Sequence, residues 1–95
     1  MRRSKLEIRI DILKILASQG PMELTQVMNK TDLNQSVLKQ HLDFLIQHNL
    51  VEEQNLGKIF YVITRRGLNV LNIIVPTVEE TRKTPALLYQ GKSQN

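Results

Sequence analysis

His41 and His48 stand seven residues apart, a spacing that puts both imidazoles on one side of a helix, where a metal ion could be held. No cysteine or well-placed carboxylate joins them, and His41 falls among apolar positions, so a core or interface histidine is the better reading. Asp43, Glu52 and Glu53 have the chemistry of general acids and bases. Glu52 and Glu53, however, are adjacent in a β-prone run and would point to opposite faces. No serine or threonine has a matched base and orienting acid, and no glycine-rich phosphate loop occurs. The sequence is therefore read as a non-enzyme, with no metal, no cofactor and no small-molecule substrate identified.

The remaining polar chemistry is that of amides and cations. In LNQSVLKQHLDFLIQHNLV, residues 33–51, the side chains of Gln35, Ser36, Lys39 and Gln40 would share the outer side of a helix. A glutamine amide can pair bidentately with adenine and a lysine with guanine, so this small polar surface suits contact with base edges. It carries little net charge. Affinity for phosphate would have to come from Arg2, Arg3, Lys5, Lys30, Lys58, Arg65 and Arg66. The formal charge of +4, from 13 Lys and Arg against 9 Asp and Glu, favours an anionic partner without identifying it.

The elements that must position these groups follow from local signals. Ninety-five residues, 41% of them hydrophobic, suffice for one compact domain. Ser4 with Glu7 forms a capping box, and Gly20-Pro21 is a stop, so a first helix is expected over 5–18. Leu6, Ile10, Leu13 and Ala17 make one apolar stripe on it, and Ile8, Ile12 and Ile15 another nearly opposite. An extended connector over 22–24 leads to a short helix over 26–30, capped by Thr25, with Val27 and Met28 inward. Leu33 is expected as a buried plug and Asn34 as the cap of a third helix over 35–48. That helix turns Val37, Leu38, His41, Leu42, Phe44 and Leu45 inward. Two β-prone runs, 50–54 and 59–63, flank Asn55-Leu56-Gly57-Lys58, a hairpin loop. Thr64 caps a last helix from Arg65, in which 68–75 is apolar nearly all round.

The expected fold is mainly α with a small β-hairpin, in the order α-α-α-β-β-α of a winged helix-turn-helix. One domain covers 4–75, including the start of the last helix. Pro76 then breaks or restarts the helix, and 76–95 is a short extension with a loose end. TQVMNKTDLN (25–34), HLDFLIQHNLV (41–51) and YVITRRG (61–67), in this order and spacing, resemble the small archaeal winged helix-turn-helix proteins that dimerise through a C-terminal antiparallel coiled coil. His41 stands where such proteins often have tyrosine, and Pro76 where they tend to continue the long last helix. The resemblance implies binding of double-stranded DNA by a transcription regulator or chromatin-like architectural factor. It places helix 3 in the major groove and the wing near the flanking backbone.

The doubly apolar first helix and the apolar last one explain each other if they pack together. A homodimer would bring Ile8, Ile12, Ile15, Leu68, Leu71, Ile74 and Val75 to a two-fold interface. Alternatively, the last helix covers the second stripe within one chain. A protein-interaction module that never touches DNA is the rival to the DNA-binding reading. The absence of cysteine fits an intracellular protein, and no run approaches the roughly 20 apolar residues of a membrane span, so a cytoplasmic, nucleoid-associated protein is expected.

Overall fold

The computed structural model describes residues 3–74. Its elements run α1 (Lys5–Gln19), α2 (Leu24–Thr31), α3 (Gln35–Gln47), β1 (Val51–Asn55), β2 (Ile59–Ile63) and α4 (Arg65–Ile74), the expected winged helix-turn-helix order. Arg2, Val75, Pro76 and the extension 76–95 lie outside the described residues.

The capping signals act where the sequence puts them. The Glu7 N–H donates to Ser4 Oγ at 3.1 Å and the Ser4 N–H to Glu7 Oε1 at 2.9 Å, which starts α1. Gly20 ends it at φ 83°. Asn34 Oδ1 accepts the Val37 N–H at 2.9 Å and opens α3, while Thr64 Oγ1 accepts the Gly67 N–H at 2.9 Å and opens α4.

Two local expectations are corrected. Helix α2 starts at Leu24 with Glu23 as its cap, so Thr25 is already helical. Here the Gln26 side chain, not a threonine hydroxyl, takes up an end group, accepting the Glu23 N–H at 2.8 Å. Strand β1 starts at Val51 rather than Leu50, because the Leu50 amide is spent on the Leu45 carbonyl at 2.9 Å and its own carbonyl accepts the Thr64 N–H at 3.0 Å.

The two strands pair antiparallel from Val51↔Ile63 to Asn55↔Ile59. Met22 adds a third rung on the far side of β2: its N–H donates to the Tyr61 carbonyl at 3.1 Å and its carbonyl accepts the Tyr61 N–H at 2.7 Å. The connector thereby ties the start of α2 to the hairpin.

The core is assembled around α1, which packs against α2, α3, α4 and β2. Its buried residues are Ile12, Leu13 and Leu16, a seam lying between the two stripes read from the sequence, and Leu6 and Ala17 are exposed. A central helix can be apolar on several sides without a partner subunit, because its own chain surrounds it. Val27, Leu38, Leu42, Leu45, Val51, Tyr61 and Leu71 complete the cluster, and Leu33 is only partly buried against it.

Candidate nucleic-acid interface

With Leu38, His41, Leu42 and Leu45 buried, α3 leaves Gln35, Ser36 and Gln40 exposed on its opposite side. Lys39 lies at the margin of this surface and leans toward the hairpin. Its Nζ is 3.9 Å from Asp43 Oδ1 and 6.0 Å from the centre of the Tyr61 ring. Tyr61, together with Asp43 and Glu53, holds the Lys39 ammonium above its usual range despite some desolvation. Burial pushes the Tyr61 phenol up in turn, with Lys39 opposing and Glu53 adding to the shift. The lysine is thus charged and positioned between helix and wing.

The other cations divide into fixed and free. Arg3 is structural as well as cationic: Nη1 meets Asp11 Oδ2 at 2.9 Å and Nη2 donates to the Thr31 carbonyl at 2.8 Å, at the C-terminal end of α2. Arg3 thereby ties the start of α1 to the turn that enters α3. Lys58, at the hairpin tip, is 3.6 Å from Glu23 Oε2 at the start of α2. An ion pair this exposed is worth about 0–1 kcal/mol and yields readily to a phosphate. Arg66 Nε donates to the His48 carbonyl at 3.2 Å, which explains a cation at the start of α4: it serves the C-terminal end of α3, where positive charge is favourable. Lys5, Lys30 and Arg65 are exposed.

The dimer candidates also divide. Ile12 and Leu71 belong to the chain's own core, so neither presents surface to a second copy. Ile8 and Ile15 are half-buried, and Leu68 and Ile74 are exposed on α4, where Ile73, which was not among the candidates, is exposed as well.

One cluster escaped the sequence reading. The Arg9 guanidinium sits 3.6 Å from the centre of the Phe44 ring, its Nε donates to His41 Nδ1 at 3.3 Å, and the Phe44 and His48 rings lie 4.3 Å apart. Burial, then the charges of Arg9 and Lys5, holds the His41 imidazole below its usual range. Both histidines are thus occupied by packing. The spacing of His41, Phe44 and His48 on one side of α3 was visible in the sequence, but Arg9 reaches them across a helix–helix contact that no local pattern encodes. Among the described residues no group of three or more His, Asp or Glu could hold a metal ion, and no helix is long and apolar enough to cross a membrane.

Several solved structures share this architecture. BpsR of Bordetella bronchiseptica, whose DNA binding is regulated by 6-hydroxynicotinic acid, superposes with a TM-score of 0.69 at 23% identity, over 86% of this chain and 62% of its own. The chain therefore spans less than two thirds of that protein. The homodimeric DNA-binding domain of Mycobacterium bovis Mb0332 gives 0.67 at 24% identity, over 80% of this chain and 73% of its own. Sso10a-2, a DNA-binding protein from Sulfolobus solfataricus, gives 0.66 at 23% identity, over 84% and 82%. At these identities the likeness is one of fold. No curated protein sequence matches the chain. The profile of the winged helix-turn-helix family, however, matches residues 2–83, and with the observed element order it shows that the chain belongs to that family.

Proposed function

We propose that this protein binds double-stranded DNA as a transcription regulator or architectural factor, with α3 in the major groove and the hairpin on the flanking backbone. The observation that carries this is the distribution of cations around the helix-turn-helix. Arg3 is fixed at the turn into α3, Lys39 stands on the margin of α3, and Lys58 lies at the start of α2. On α3 itself Gln35, Ser36 and Gln40 are exposed and neutral, which suits base-edge contact, with phosphate contact left to the cations. The dimeric Mb0332 domain and the DNA-binding Sso10a-2 support the same reading at the level of fold.

A homodimer is part of the proposal. Two copies joined through the exposed apolar side of α4, with Ile8 and Ile15 of α1, would present two α3 helices to sites about 34 Å apart. No catalytic role is proposed, and the site of action is the nucleoid. The test is duplex binding followed against salt concentration, where the log-log slope should be about −0.9 per phosphate neutralised. Failure to bind duplexes even at low salt would favour the protein-interaction module, with α4 as its docking surface.

A further inference from the structure

The hairpin tip carries a feature that phosphate contact does not explain. Leu56 is 72% exposed and Ile59 47%, although both are large apolar side chains. The last paired residues are Asn55 and Ile59, so the turn is only Leu56-Gly57-Lys58. Gly57 takes φ 88°, and the Leu56 N–H donates to the Lys58 carbonyl at 2.9 Å across the tip. This tight closure holds Leu56 outward on a short finger. By strand alternation Ile59 shares a face with Tyr61 and Ile63, so it continues the core-facing side of β2 toward the tip.

Three observations select the partner. Lys58 is the sole charged residue between Gln54 and Ile63, which makes the finger apolar with one positive charge. Its ion pair with Glu23 is exposed and can be exchanged for a phosphate. The hairpin also stands against α3, with Lys39 6.0 Å from the Tyr61 ring, so a duplex engaging α3 brings its neighbouring groove to the hairpin. Two side chains are far too few for a protein interface, which takes roughly 800 Å² per partner. They are enough for a minor groove, whose deoxyribose walls are apolar and whose rims are phosphate.

We infer that Leu56 at the hairpin tip is an apolar wedge that enters the minor groove beside the α3 site and partly unstacks a base step, with Ile59 adding apolar surface at the end of β2 and Lys58 on the adjacent phosphate. This inference rests on the DNA-binding function proposed above. A wedge of this kind kinks the duplex and favours pyrimidine–purine steps, which unstack most easily, so the hairpin selects DNA by deformability without base-edge contact.

The experiment uses the full chain with end-labelled duplexes carrying 2-aminopurine at successive positions, so that affinity, bend and unstacking are read together. Wild type should raise the 2-aminopurine signal at one step and shorten the end-to-end distance. Leu56→Ala should abolish both and weaken binding about tenfold, the loss of one buried leucine side chain. Lys58→Ala should weaken binding and flatten the salt slope by about 0.9 while keeping the unstacking signal. Leu56 is exposed, so its replacement should leave the melting temperature unchanged. Tight binding by wild type to a straight, stacked duplex overturns the wedge and leaves the DNA-binding function standing, whereas no binding to any duplex overturns both. If Leu56→Ala instead lowers the sedimenting mass and leaves the DNA signals intact, the tip is a contact between copies and the wedge is wrong.

Discussion

At the scale of the residue, His41 is a titrating group coupled to the fold. Its Nδ1 accepts from Arg9, which requires the neutral ring, and burial with two nearby cations disfavours protonation. The folded-state pKa is therefore below the unfolded one. Stability from this site is fully present above the unfolded value and is lost as pH falls through the folded one. The melting temperature should decline from about pH 7 to about pH 5, and His41→Gln, whose amide oxygen can still accept from Arg9, should reduce that decline. An unchanged pH profile in the variant would remove His41 as the cause. Gly67 is a second such point. A Cβ there would lie against the Leu50 carbonyl oxygen and 2.7 Å from Ile63 Cγ1, so Gly67→Ala should lose about 1–3 kcal/mol in urea unfolding. The sequence placed His41 on the inner side of its helix, but its Arg9 partner and the crowding around Gly67 depend on what another element brings alongside.

At the scale of the element, the proposed complex divides the work between α3 and the hairpin, and two substitutions separate them. Gln40→Ala should change which duplex sequences are preferred, measured by competition among sequence variants, because an exposed amide on α3 affects specificity more than charge. Equal loss on every sequence would reduce α3 to a positioning helix. Glu23→Gln should strengthen duplex binding by releasing Lys58, with little change in stability because the ion pair is exposed and the backbone N–H that Gln26 caps is kept. Unchanged affinity would mean that Lys58 meets no phosphate. The starts of α1, α3 and α4 were legible in Ser4, Asn34 and Thr64 because a cap is made within a few residues of chain. The start of α2 was not, because its connector is set by pairing with Tyr61, nearly forty residues away.

At the scale of the molecule, the question is what covers α4. Leu71 turns inward, while Leu68, Ile73 and Ile74 stay exposed, an apolar surface that a second copy would bury. Sedimentation at micromolar concentration should give the dimer mass, and Leu68→Glu, at an exposed position, should give the monomer with its helix content intact. A wild-type monomer that still binds DNA would confine the protein to single-site contact. If dimerisation is coupled to folding, the melting temperature should also rise with protein concentration.

The amino-acid sequence by itself determined the element order, the caps of α1, α3 and α4, the inner side of α3 and the polar residues on its outer side. Those depend on periodicity and on contacts within a few residues. Tertiary structure alone decided that α1 is central, which takes Ile12 into the chain's own core and leaves Ile8 and Ile15 half-buried. It also decided which cations are engaged: Arg3 and Arg66 close helix ends, Lys39 turns to Tyr61, and Lys58 meets Glu23. A charge can be counted along the chain. Its partner is set by which distant segment the packing brings within reach.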